Sequence, residues 1–217
     1  MLISATANFV HRFTWRKLFE SSIVFAGVLI TIESAHATVT LTTGGFSGAS
    51  SLTLRVGSAG SIDVITFNVT GTNVAPTPTA VVGTSNGPVT SPTGGTEIAI
   101  SANDSFILGA ATVSLTANSS AGLACVSGGC GSTVIPFTSI SWTSANLQTG
   151  GRAGQDIQSG TFNGSASQTL ASIPIPLAIL SDASVAMSNV LTFSYANSTL
   201  YPSGQYRGRV VFTASLL

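Results

Sequence analysis

Charge is what this chain has least of. Charged side chains make up 6% of its 217 residues, against about a quarter in an ordinary soluble domain. Beyond residue 37 there is no histidine and no lysine: His11, His36 and Lys17 all lie in the first segment. Four arginines (Arg55, Arg152, Arg207, Arg209) then face five carboxylates (Asp63, Glu97, Asp104, Asp156, Asp182). No basic patch exists to neutralise phosphates, which excludes nucleic acid as a partner. Low charge combined with 44% hydrophobic residues also excludes a disordered chain. Zinc chemistry is excluded by two cysteines standing without a downstream histidine. Acid–base chemistry would fall to carboxylates that are nowhere paired in sequence, so no catalytic residue and no cofactor are expected and the chain reads as a non-enzyme. Glu97 and Asp156 would have to meet in space to serve as a glycosidase pair. Asp104, in Ala-Asn-Asp-Ser, reads as a turn or cap residue, because no D-x-D-x-D pattern makes it a calcium ligand and no other metal ligand set is present.

Also missing is an apolar run long enough to cross a bilayer. Ile23–Ile32 is about ten residues, half of the ~20 a spanning helix needs. It follows a basic stretch (His11, Arg12, Arg16, Lys17) and precedes Ala35-His36-Ala37. Basic start, short apolar run and small-x-small site are the grammar of a secretory signal peptide. The expectation is a leader over residues 1–37 and a single domain over 38–217, with no transmembrane anchor after cleavage. Export makes a Cys125–Cys130 disulfide the expected state of the two cysteines, closing a short loop. A secreted, periplasmic or cell-surface location follows. The neutral Thr/Ser/Gly-rich surface puts little charge repulsion between copies, which suits packing against itself or other surface subunits.

What is present is strand signal. Beyond residue 37 no segment carries a helical period, and short β-rich runs alternate with Gly, Pro, Asn and Ser. Leu52, Leu54 and Val56 alternate; so do Ile65, Phe67 and Val69, then Val113 and Leu115. Thr133–Thr143 reads as one strand with Pro136 at its beginning or at a bulge. The clearest pattern is Ser188–Leu217: Leu191, Phe193 and Tyr195, a Pro202-Ser203-Gly204 turn, then Tyr206, Val210 and Phe212, with Arg207 and Arg209 on the other face. It predicts a closing hairpin whose last strand is a solvated edge. Leu177–Met187 reads as a short helix or turn, and the Pro-rich Thr72–Gly95 as a loop or a pair of edge strands.

Eight to ten such strands predict an all-β antiparallel sandwich, with a small β-barrel as the alternative. The expected core includes Phe67, Ile140, Trp142, Leu191, Phe193, Tyr206, Val210 and Phe212. Tyr201, in a Leu-Tyr-Pro turn, and Phe162, in a Gly/Gln-rich loop, are the candidate ligand contacts if the protein is instead a carbohydrate-binding module that takes glycans.

Ile140-Ser141-Trp142-Thr143, Gln158–Gly164, Leu191–Asn197 and Tyr201–Val210 together resemble small exported bacterial β-sandwich proteins, mostly of unassigned function. The closing Pro-x-Gly-x-Tyr-x-Gly-x-Val pattern also resembles the last strands of immunoglobulin-like pilus and surface-adhesin subunits. Gly204 stands where those subunits carry a glycine, whereas Leu216 replaces their penultimate aromatic residue and the two cysteines are sequence neighbours. The resemblance implies an immunoglobulin-like sandwich and a structural or adhesive, fimbria-like role with assembly by strand pairing. Thr38, Val39, Thr40 and Leu41 are then the candidate donor strand.

Overall fold

A computed structural model describes residues 2–6, 28–34, 39–45, 48–57, 63–74, 77–105, 111–146, 155–175 and 182–216; up to residue 50, and at 104, 105, 111, 182 and 183, this is the backbone alone. Alternating apolar and polar residues become strands because a pleated chain sends successive side chains to opposite faces. In chain order these are β1 (Leu2–Thr6), β2 (Val28–Ser34), β3 (Val39–Gly45), β4 (Gly48–Val56) and β5 (Asp63–Val69). After a helical turn, α1 (Gly71–Val74), come β6 (Val81–Val82), β7 (Thr84–Ser85), β8 (Thr96–Ser105), β9 (Ala111–Asn118), β10 (Leu123–Ser127) and β11 (Val134–Ile135). A 3-10 turn at Phe137–Ser139 leads into β12 (Ile140–Ala145), β13 (Gly160–Thr161) and β14 (Gln168–Ile175). The chain closes with β15 (Asp182–Tyr195), β16 (Gln205–Arg209) and β17 (Val211–Leu216).

The protein is all-β and mostly antiparallel. A seven-stranded sheet runs β11-β10-β16-β1-β2-β5-β7, a branched sheet runs β13-β12-β15-β8-β4-β3 with β6 as its seventh strand beside β15, and a three-stranded sheet runs β14-β9-β17. β15 is the long spine of the branched sheet. One edge takes β12; the other takes β8 and then β6. The inward rows of all three sheets meet in one core, including Leu54, Ile65, Phe67, Ile100, Leu115 and Ile173. Within the segment read as a leader, Leu2–Thr6 and Val28–Ser34 form β1 and β2, seated between β16 and β5. Among the described residues no helix is long and apolar enough to cross a membrane.

Several expectations are corrected. The closing hairpin does not form: β15 lies in the branched sheet, β16 in the seven-stranded sheet and β17 in the three-stranded sheet. Both edges of β15 are already taken, and the connection is tied down elsewhere. Asn197, at φ 50°, donates from Nδ2 to the carbonyls of Asn73 (2.8 Å) and Thr79 (3.2 Å). Tyr206 donates its hydroxyl to the Pro202 carbonyl at 2.7 Å, making a corner that turns the chain across the core. β16 is therefore an interior strand with Arg207 and Arg209 exposed on its outer face, not a solvated edge. Asp182–Met187 is strand rather than helix or turn, held against β8, and Asp104 lies within β8 rather than in a turn. Thr133–Thr143 is not one strand. Pro136, which lacks an N–H, precedes the 3-10 turn, and β11 and β12 belong to different sheets. The Pro-rich segment contributes β6 to the branched sheet and β7 to the seven-stranded one, with only Gly83 between them.

Candidate functional site

A chain with so few charges gathers three of them at one cleft. Register places Arg55 (β4) opposite Ala99 and Glu97 (β8) opposite Val190. These residues face away from the core because Leu54, Val56, Ile98 and Ile100 occupy the other face. Arg55 pairs with Glu97 Oε2 at 2.7 Å, and Ser188 donates its hydroxyl to Glu97 Oε1 at 2.6 Å. Beside them lies a cleft of about 270 Å³ whose lining includes Asp63, Thr90, Asn146 and Val190. Asp63 begins the inward row of β5 and is buried. The turn at Asn86-Gly87 packs on it: the Asn86 amide N–H donates to the Val64 carbonyl at 3.0 Å, and a side chain at Gly87 would run into the Asp63 carboxylate. The Arg55–Glu97 pair is about a third exposed (38% and 32%), so it contributes no more than about 1 kcal/mol of stability. Among the described residues that line the cleft, two are carboxylates, one is a guanidinium and none is aromatic.

Glu97 and Asp156 do not converge. In β15, Val190 shares a face with Glu97, whereas Asn189 points to the opposite, core side and donates to Asp156 Oδ2 at 3.2 Å. Asp156, 2% exposed, also accepts from Gln158 Nε2 at 2.9 Å through Oδ1. A buried polar cluster of Ser144, Asp156 and Asn189 thus sits behind the sheet, out of contact with the Arg55–Glu97 pair. Sequence reasoning missed this cluster. Its one signal was Asn189 on the inward row of Met187, Leu191, Phe193 and Tyr195, a polar residue where the pattern demands an apolar one. Among the described residues no three His, Cys, Asp or Glu side chains gather as a metal site.

The aromatic candidates fall mostly in the core. Phe162 is 2% exposed and packs its ring 4.8 Å from Trp142, 6.0 Å from Phe137 and 6.1 Å from Phe193, centroid to centroid, so it is a core residue and not a ligand contact. Trp142 is buried, with its indole N–H donating to the Gln158 carbonyl at 2.8 Å. Tyr201 is partly buried against the core. Phe67, Ile140, Leu191, Phe193, Tyr206 and Val210 are all buried, while Phe212 is only half-buried because β17 is an edge strand. Burial pushes the Tyr195 hydroxyl above the usual phenol range, with Tyr201 and Tyr206 adding to the effect. Burial raises Tyr206 too, opposed by a hydrogen bond with Thr133 and reinforced by Tyr201.

Cys125 and Cys130 form a disulfide with Cα atoms 5.7 Å apart. Gly204 lies against it, where a Cβ would sit 2.7 Å from that of Cys130. Of the candidate donor strand, Val39, Thr40 and Leu41 belong to β3, an outer strand of the branched sheet that, among the described residues, pairs only with β4; Thr38 lies outside the described residues. No family model matches the chain, and no curated protein or solved structure matches it either.

Proposed function

We propose that this is an exported, non-enzymatic structural or adhesive subunit, an immunoglobulin-like sandwich that assembles with copies of itself through strand pairing. One observation carries the reading. Among the described residues of the seven-stranded sheet, β16 and β5 are connected only through β1 and β2, both of which come from residues 1–37. Cleavage of that segment as a leader leaves β16 and β5 as two facing edges with unpaired backbone groups. Such edges are templates for another strand. β3 is the natural donor, because it is held on one side only and its Val39 and Leu41 alternate with threonines. The Tyr206–Pro202 corner supports the immunoglobulin-like reading, since a tyrosine hydroxyl bonded a few residues upstream marks the start of a late strand in such sandwiches. The short-loop disulfide fits an exported chain.

The test is sedimentation and electron microscopy of the chain from Thr38 onward. Concentration-dependent oligomers or filaments, lost on deletion of residues 38–46, are expected. Persistent monomer at high concentration, with β16 and β5 amides protected from hydrogen exchange, would refute the reading.

A further inference from the structure

The side-chain amide of Asn189 is fully buried and sits in a ring of oxygens. Around Nδ2 stand Ser144 Oγ and Asp156 Oδ2, each at 3.2 Å, and the carbonyls of Ala145 (3.3 Å), Asn146 (3.4 Å) and Ile157 (3.5 Å). An amide carries two hydrogens, so it cannot serve five acceptors. All five distances lie at or beyond the long end of the ~2.7–3.2 Å range of N–H···O bonds. On the other side of the same amide, Oδ1 is buried with no hydrogen-bond partner. The group therefore has too many acceptors around its nitrogen and no donor for its oxygen.

A cation answers the crowding of oxygens, which two amide hydrogens cannot. With the amide turned over, Asn189 Oδ1 joins the ring and completes six oxygens: one carboxylate, one hydroxyl, one side-chain amide and three backbone carbonyls. We propose that this ring is a calcium-class cation site, with Asp156, Ser144 and Asn189 as its side-chain ligands. Hard oxygen donors with neither thiolate nor imidazole select calcium-type ions over zinc or copper. Mixed carbonyl and side-chain ligands suit calcium better than magnesium, which demands a tight octahedron and keeps its waters. The surroundings are built for the purpose. Asn146, in the left-handed region at φ 64°, follows directly on β12, and its carbonyl reaches the ring. Gln158 holds the other Asp156 oxygen at 2.9 Å and so orients the carboxylate. A single formal charge places the affinity at the weak end, with Kd about 10⁻⁴–10⁻³ M, suited to extracellular calcium. The site is independent of how the protein assembles.

Calcium titration of the purified protein, read by thermal unfolding and by terbium luminescence, tests this. Trp142 is the built-in sensitiser, its indole N–H bonded to the Gln158 carbonyl. At 10 mM calcium the wild-type melting temperature is expected to rise by about 4–7 °C, with little response to magnesium. Terbium emission excited through Trp142 should be displaced by calcium and lost in Asp156→Asn. The decisive variant is Asn189→Asp. As a calcium ligand, a second carboxylate should tighten binding about tenfold or more, and calcium should restore a protein that is destabilised, or fails to fold, without it. If Asn189 is only a structural hub, the new carboxylate faces oxygens and calcium rescues nothing. Unchanged melting temperatures with calcium in both wild type and Asn189→Asp overturn the proposal.

Discussion

Replacing Phe162 with alanine removes a ring that touches three others. Phe162 is 2% exposed, and its backbone N–H is held by the Ile140 carbonyl at 3.1 Å, so the site cannot readily collapse. Truncating a buried phenylalanine costs about 3–5 kcal/mol through lost burial and the cavity left behind. The rings of Trp142, Phe137 and Phe193, at 4.8, 6.0 and 6.1 Å, each lose a partner, and such pairs add about 0.5–1.5 kcal/mol apiece. The three ring contacts place the cost at the upper end of the ~3–5 kcal/mol range, about 4–5 kcal/mol, a large part of the ~5–15 kcal/mol that holds a typical domain folded. Urea unfolding followed by Trp142 fluorescence would register it as a fall of about 2 M in midpoint, taking a slope of about 2 kcal/mol per M. Phe162→Leu, which keeps most of the volume, should lose less than half as much. A loss below about 1 kcal/mol for Phe162→Ala would mean that the ring is not held in the core, and would return Phe162 to the list of surface contacts.

Three further outcomes follow from the packing. Gly83→Ala puts a Cβ 2.5 Å from Ile65 Cγ2 and 2.9 Å from Phe67 Cε1; a denaturation midpoint lowered by the equivalent of about 1–3 kcal/mol is expected, and an unchanged midpoint would contradict the close approach. Reducing the Cys125–Cys130 bond, whose sequence separation is 5, should cost only about 2 kcal/mol by loop entropy, with the strand signal in circular dichroism retained; loss of that signal would give the bond a global role. Tyr195 and Tyr206 have folded-state pKa values raised above their unfolded value near 10. Their contribution to stability is therefore full below about pH 10 and falls as pH rises from there towards the folded values, because the unfolded chain releases these protons first. Phenolate absorbance should appear together with unfolding in an alkaline titration; ionisation of both rings in a still-folded protein would refute this.

Rows of alternate residues were legible in the sequence wherever one face met the core. Leu52-Leu54-Val56, Ile65-Phe67-Val69 and Leu191-Phe193-Tyr195 are buried as their spacing implies. Period two reports which face is inward but not which strand lies alongside. That is why Ser188–Leu217 read as a hairpin although its parts belong to three sheets. Pro202 and Gly204 do announce a reversal; the partner is chosen by long-range bonds such as Asn197 to Asn73, which no local pattern reports. Phe162 was read as a ligand contact because it follows a Gly/Gln-rich stretch without alternation; its bond to Ile140 and its ring contacts with Trp142, Phe137 and Phe193 hold it inward. The Asp156–Asn189 cluster depends on contacts 33 residues apart in sequence. Only Asn189 gave a local hint, as a polar residue on an apolar row.

Between Arg209 and Val211 the chain passes from the seven-stranded to the three-stranded sheet through one fully buried residue, Val210. Tension on the C-terminus therefore cannot unzip β17 from β9 and stop there. Once β17 is peeled away, the load falls on Val210 and on β16, an interior strand hydrogen-bonded to β10 and anchored by the Tyr206 corner. Gly83 links the seven-stranded sheet to the branched sheet in the same manner, and Pro136 with the 3-10 turn after it makes a second such link. A pull on the end of the chain is thus transmitted across sheets, and the molecule resists as a stitched fabric rather than as stacked layers.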